Sequence, residues 1–373
     1  MVNQFTDLEE LVRATQEISS QKTDFHIDTR AIEVIDDSSI GLATPNYMGS
    51  GLIASTGYKI NPVAEQQIAS TLDIPKKFYD SLPDRAPGLR AEILRELFAA
   101  DGSRRLIRTV PNKIRAFLSN RYKPLDNDAF LSAIVQVLTE LIRDGRKFEL
   151  KSSSLTEKKM YVQITFPDLA REVISGDYVL GGRNVRELYP GVTITNSEVG
   201  HGARKIESFI WDRECSNGLV GKKIISKYHV GDHRFLDAQS GDPNLPQILR
   251  PDTLEAMSEV ERLETRDAFY AAANKHFFDS QVQLVESTMQ IPVNEDPKNF
   301  VENVTEHFVL SQDESGKMLN NLTIGGDLSL WGAISALTAV AHDTESRDRQ
   351  YEIERAGYQL MTANNSLLSK LNS

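Results

Sequence analysis

A chain of 373 residues, 40% hydrophobic and 25% charged, has the makeup of a globular protein with room for two domains or one large domain with appendages, which excludes disorder as its main character. Its net charge of −11 argues at first sight against nucleic acid, and its single cysteine excludes an intramolecular disulfide and any zinc site needing two thiolates. Asp7, Glu9, Glu10 and Glu17 stand where a secretory signal would be basic and then apolar, and the longest uncharged apolar stretch, 328–341, falls short of the ~20 residues of a spanning helix, so a cytoplasmic protein away from membranes is expected.

In chain order, Thr6-Asp7-Leu8-Glu9 reads as a capping box, and Phe5, Leu8, Val12 and Thr15 follow at helical spacing, giving an N-terminal amphipathic helix. A β-rich stretch with Gly and Pro breaks runs to about Ile60. Asn61-Pro62 opens a helix, and residues 66–82 read as two short helices joined by a tight turn. A further helix covers about 88–100. Ile114, Ala116 and Leu118 alternate with Arg115 and Phe117 as in a strand, and a helix spans 128–144.

From Lys147 the pattern becomes β, with strands at 148–150, 160–166, 192–197 and 205–211. The last two form a hairpin turning at Glu198-Val199-Gly200-His201-Gly202. Residues 240–246 read as a linker. Asp252-Thr253-Leu254-Glu255 is a second capping box, opening a long helix toward Met289, and further helices cover about 297–310, 328–342 and 345–371. The expected fold is α+β, a central and mostly antiparallel sheet with a β-hairpin, flanking helices and a helical C-terminal portion. Its parts would be 1–60, 61–237 and 250–373.

Charge is segregated along the chain. Residues 1–100 hold 9 basic and 15 acidic side chains, 101–250 hold 24 and 18, and 251–373 hold 9 and 20. Within 102–125 stand Arg104, Arg105, Arg108, Lys113, Arg115, Arg121 and Lys123 with no acid, a density that calls for an opposite surface or a polyanion. Interleaved with Phe117 and Tyr122, these cations offer phosphate contacts and stacking platforms. The bland alternative is a strand edge paired with acids elsewhere. Arg204, Lys205, Arg213, Lys222, Lys223 and Lys227 follow the hairpin turn and outnumber the acids around them.

Four blocks are idiosyncratic: Arg121-Tyr122-Lys123-Pro124-Leu125-Asp126-Asn127, Gly191-Val192-Thr193-Ile194-Thr195-Asn196-Ser197-Glu198-Val199-Gly200, Cys215-Ser216-Asn217-Gly218-Leu219 and Trp331-Gly332-Ala333-Ile334-Ser335-Ala336-Leu337-Thr338. In this order, over roughly residues 60 to 345, they resemble a phage- and plasmid-associated protein family of unknown function. That resemblance implies a mobile-element setting and names no reaction. In layout the chain is also similar to phage single-strand annealing proteins, which implies a positive groove for the strand, aromatic side chains for its bases, and oligomerisation to lengthen the site.

Other motifs have two readings. The helices at 64–82 fit a helix-turn-helix with Lys76 and Lys77 at the groove, or a plain helical hairpin, which Asp73 in the turn favours. Cys215 with His201, His229 and His233 fits a metal or thiol site, or a buried thiol with unrelated histidines. Asn196, Ser197 and Glu198 fit a polar recognition group or turn chemistry, and Gly181-Gly182-Arg183-Asn184 reads as a turn. Ile353, Gly357, Leu360, Asn364, Leu367 and Leu371 fit a short coiled-coil seam or an amphipathic core helix.

The expected function is binding of nucleic acid, single-stranded DNA above all, in recombination or replication, with no catalytic group, metal or cofactor. Phosphates would meet Arg104, Arg105, Arg108, Lys113, Arg115, Arg121 and Lys123, bases Phe117 and Tyr122, with Lys222 and Lys223 in a secondary role. The alternatives are a non-enzymatic interaction factor, such as a host-defence inhibitor or virion-assembly component, contacting partners through the acidic C-terminal part, and a metal- or thiol-dependent enzyme centred on Cys215.

Overall fold

The computed structural model describes residues 3–45, 52–54, 57–175, 184–214, 216–229, 250–293 and 296–372. The N-terminal elements are β1 (Asn3–Gln4), α1 (Leu8–Gln21), β2 (Thr23–Asp28), β3 (Ile32–Asp36), β4 (Ser39–Pro45), β5 (Leu52–Ala54), β6 (Tyr58–Ile60), α2 (Pro62–Thr71), α3 (Lys76–Arg85) and α4 (Leu89–Asp101). There follow β7 (Arg104–Val110), β8 (Lys113–Ser119), α5 (Asn127–Arg143), β9 (Glu149–Leu155), β10 (Met160–Thr165), β11 (Arg171–Ser175), β12 (Asn184–Asn196), β13 (Arg204–Asp212) and β14 (Asn217–Lys227). The remainder is helical: α6 (Pro251–Ala272), α7 (Lys275–Met289), α8 (Pro297–Phe308), α9 (Gln312–Gly325), α10 (Leu330–Ala339), α11 (Arg347–Met361) and α12 (Asn365–Leu371). The protein is α+β, with antiparallel-rich sheets and a helical C-terminal region.

Among the described residues the strands form two seven-stranded sheets. The first runs β1-β9-β10-β12-β13-β14, with β11 added on β12, and all its pairings are antiparallel. The second runs β2-β7-β8-β6-β4-β3, with β5 on β4, and only β6 and β8 pair in parallel. Parallel neighbours need a crossover, and α2, α3, α4 and β7 supply it. Residue 60 is therefore no boundary in space, because β6 lies between β4 and β8 in one sheet, while β1 joins the other sheet at β9.

Local signals fix most helix starts. Asp7, one residue beyond the expected Thr6, caps α1 by accepting from the Glu10 amide at 2.8 Å, and Glu10 reaches back to the Thr6 amide at 3.1 Å. Asn61 caps α2 ahead of Pro62, and Asp73 (φ +54°) makes the α2–α3 turn as the left-handed residue. Two long helices of the sequence reading are each broken by an asparagine cap, α6 from α7 at Asn274 and α11 from α12 at Asn364. The Asp252 capping box does not form, since α6 begins two residues earlier, at Pro251, with Arg250 in the cap position.

Alternation along β10 gives the first sheet two chemically different faces. Met160, Val162 and Ile164, with Val192, Ile194 and Ile206, pack under α1, α5 and α6 through Leu11, Phe130, Ile134 and Phe269. Tyr161 and Gln163 point the other way and bond to α11, Tyr161 to Asp348 and Gln163 to Glu354 at 2.8 Å. A second core gathers α7 to α12 around Trp331 and joins them to Leu188, Ile210 and Leu219. A Cβ on Gly357 would lie 2.5 Å from Thr338 and 2.8 Å from Leu219, so glycine permits α11 to close on both α10 and β14. Ile353, Leu360 and Leu371 are buried in this core and Asn364 is a cap, which makes the candidate seam a pair of core helices. Residues 64–82 are likewise a helical hairpin whose Ile68 and Tyr79 are buried against the second sheet.

Candidate nucleic-acid interface

The basic segment folds into the β7–β8 hairpin and the loop leading to α5, and most of its cations meet acids of the same chain. Arg108 is 1% exposed; its guanidinium donates to Asp24 at 3.0 Å, to Asp126 at 2.7 Å and to the Glu198 carbonyl at 2.9 Å. Burial works against its charge, but these two carboxylates hold its pKa above the usual range. Arg115 binds Glu198 at 2.7 Å, Lys113 binds Glu157 at 3.1 Å, and Arg105 lies 3.6 Å from Asp101 and over the Phe117 ring.

Three expectations are corrected here. Arg108 is a buried structural cation and cannot reach a strand. Phe117 is 2% exposed in the core of the second sheet, packed on Phe98, and offers no stacking face. Tyr122 is consumed internally too, donating to the Ser197 carbonyl at 2.8 Å and stacking on His229 at 4.9 Å with ring planes 5° apart. Lys123 is half-buried, its backbone bonded to His229 on both sides. Arg104 and Arg121 are exposed, and Arg121 has no ion pair or hydrogen bond among the described residues.

The structure brings two of the four idiosyncratic blocks together as a junction. Asn196 donates to the Leu125 carbonyl at 2.7 Å and to Asn127 at 2.9 Å, and Glu198 accepts from the Asn127 amide at 2.8 Å while binding Arg115. Gln67 grips the same turn through the Val199 carbonyl at 2.7 Å, and a Cβ on Gly200 (φ +80°) would lie 2.7 Å from Leu118. Asn196, Ser197 and Glu198 thus lock the β12–β13 turn against the second sheet. The other two blocks meet in the helical core, where Leu219 packs with Trp331, Ile334 and Leu337.

The same turn also places cations elsewhere. Ser197 Oγ donates to the Lys158 carbonyl at 2.7 Å, which clamps the β9–β10 turn beside it, and Thr156 closes that turn on Lys159. Lys159 from this turn, Lys205 from β13 and Arg355 from α11 then converge on one ring: their charged groups lie 5.9, 5.9 and 5.8 Å from the Tyr351 centroid. They edge a recess of about 380 Å³ walled by Phe308, Leu310 and Ala356. Burial lowers the Lys205 pKa; Glu207 opposes this, while Arg355, Lys223 and Lys159 add repulsion. Lys158, Lys159, Lys205 and Lys223 form no ion pair among the described residues, and Lys158, Lys222 and Lys223 are exposed.

Beneath the recess lies a buried polar layer. Glu207 is fully buried; Tyr351 donates to one of its oxygens, and the other lies 3.9 Å from Arg355. Burial beside this carboxylate pushes the Tyr351 hydroxyl pKa up, so it stays a donor. Glu354 pairs with Arg347 at 3.2 Å and accepts from Gln163, and burial raises its pKa. Half-exposed Trp211 packs at the margin of the Tyr161–Phe209–Tyr351 cluster. The sequence reading noticed Lys205 but passed over Lys159, Arg355 and Trp211. The one available signal was the cation excess after the hairpin turn.

Cys215, His233, the linker at 240–246 and the turn at 181–183 lie outside the described residues. Among the described residues no three His, Cys, Asp or Glu side chains gather as metal ligands, and no helix is long and apolar enough to cross a membrane. His229 sits in the junction, stacked on Tyr122, and His201 on the β12–β13 turn. No family model, curated protein or solved structure matches the chain.

Proposed function

We propose that the protein binds nucleic acid, single-stranded DNA above all, through the cations around the recess between the first sheet and α11. In this reading it is a cytoplasmic component of a phage or plasmid acting in recombination or replication, and a homo-oligomer would lengthen its site. The observation that carries the reading is the set of lysines, Lys158, Lys159, Lys205 and Lys223, held within one region without ion-pair partners. Cations left unpaired and crowded together are stabilised by an incoming polyanion. Lys222, Arg104 and Arg121 are further exposed basic groups.

The test is fluorescence anisotropy with a labelled single strand and its duplex across a salt series. Binding should favour the single strand and weaken steeply with salt. A Lys159→Ala/Lys205→Ala/Lys223→Ala variant should lose affinity and flatten the slope of log K against log salt by about 2, at roughly 0.7 per phosphate contact. Absence of binding to either nucleic acid at low salt would overturn the proposal.

A further inference from the structure

We propose that the recess edged by Lys159, Lys205 and Arg355 seats a phosphate monoester at a strand end, with the terminal nucleotide against its apolar wall. The inference rests on the nucleic-acid reading above and narrows it to one part of the strand.

Size is the first argument. At about 380 Å³ the recess lies near the low end of the ~300–1,000 Å³ typical of small-molecule pockets, which suits one nucleotide rather than a run of them. Charge is the second. Three cations come from three separate elements to within 5.9 Å of one ring centroid, with Lys223 close enough to Lys205 to add repulsion. A phosphate monoester carries about −1.5 to −2 charges and three acceptor oxygens, against a single charge on a backbone diester. Cations packed this closely therefore gain most from a terminal phosphate.

Glu207 accepts from Tyr351 and pairs with Arg355 at 3.9 Å, and Glu352 binds Arg349 at 2.9 Å, which leaves Lys159 and Lys205 as the recess cations without an ion-pair partner among the described residues. Arg349 also lines the recess, but Glu314 holds it at 2.8 Å through two nitrogens, so it is not a free phosphate ligand. The recess is also lined by half-buried Phe308 and buried Leu310, apolar side chains suited to a base or ribose.

The chemistry is common to both strand ends, so the experiment separates them. The full chain is bound to a labelled single strand and displaced by three unlabelled strands of one sequence, carrying a 5′-phosphate, a 3′-phosphate or hydroxyls at both ends. One phosphorylated strand should compete about tenfold better than the hydroxyl-ended one. That ratio should collapse toward one in Lys205→Met and in Lys159→Met, and survive in Lys205→Arg, with unfolding temperatures confirming that each variant is folded. Equal competition by all three strands overturns end recognition and leaves the nucleic-acid reading standing. A tenfold ratio unchanged in both methionine variants overturns the assignment to this recess. Failure of the labelled strand to bind removes both proposals.

Discussion

Residues 102–125 carry seven cations in a row of sequence without one acid, whereas Lys159, Lys205, Lys223 and Arg355 are scattered over nearly 200 residues and reach into the acidic C-terminal part. Folding reverses their apparent promise. The dense segment becomes a hairpin whose arginines meet Asp24, Asp101, Asp126 and Glu198, and the scattered set becomes a crowd around Tyr351. Linear charge density reports how many counter-charges a segment needs. Whether the fold or a ligand supplies them is decided by tertiary pairing.

The sharpest way to break this comparison is Arg108→Ala. It strands Asp24, Asp126 and the Glu198 carbonyl in a buried junction, and removing one partner of such a network costs about 3–5 kcal/mol. Chemical denaturation measures it, and a loss under ~1 kcal/mol would mean that the cation is not structural.

Next comes a pH dependence at the same junction. His229 is 6% exposed, and its pKa is lowered to about 4 by burial, with Arg204 and Arg108 adding to the shift against the bond to the Lys123 carbonyl. A histidine whose folded pKa lies below its ordinary value of 6.5 makes the unfolded state bind the extra proton as pH falls. Stability should therefore drop by up to about 3 kcal/mol between pH ~6.5 and ~4, above the range of ordinary carboxylates. His229→Phe keeps a ring on Tyr122 but should flatten that slope, and an unchanged slope would contradict the assignment.

A smaller effect is expected at Tyr122→Phe, which leaves the buried Ser197 carbonyl without its donor and should cost about 1–3 kcal/mol in denaturation. Smallest of all, Arg121→Ala and Lys223→Ala should each change stability by less than about 0.5 kcal/mol, as exposed side chains without partners do. A large loss at either would erase the contrast between the two regions.

Much of the fold was legible because its signals are local. Asn61-Pro62, the 128–144 periodicity and the Glu198–Gly202 turn each act within a few residues, and α2, α5 and the β12–β13 hairpin form where they point. Strand β7 was missed because arginines occupy 104, 105 and 108, and the alternation that marks a half-buried strand breaks when a buried position is Arg108. The parallel β6–β8 pairing leaves no local mark. The helix breaks at Asn274 and Asn364 look like ordinary polar helix residues until the fold requires a change of direction. The candidate site was hardest to read: Arg108 bonds acids 84 and 18 residues away, and Arg355 reaches the recess from a region whose net charge hides it.

The central claim is that the recess, rather than the basic segment, carries the binding surface. Strand affinity of Lys159→Ala/Lys205→Ala/Lys223→Ala measured beside Arg104→Ala/Lys113→Ala/Arg121→Ala, at one low salt concentration and with both proteins shown to be folded, compares equal numbers of removed cations. The account predicts a loss of at least tenfold in the first variant and a clearly smaller loss in the second. An equal or greater loss in the second variant would contradict it and return the binding surface to the β7–β8 segment.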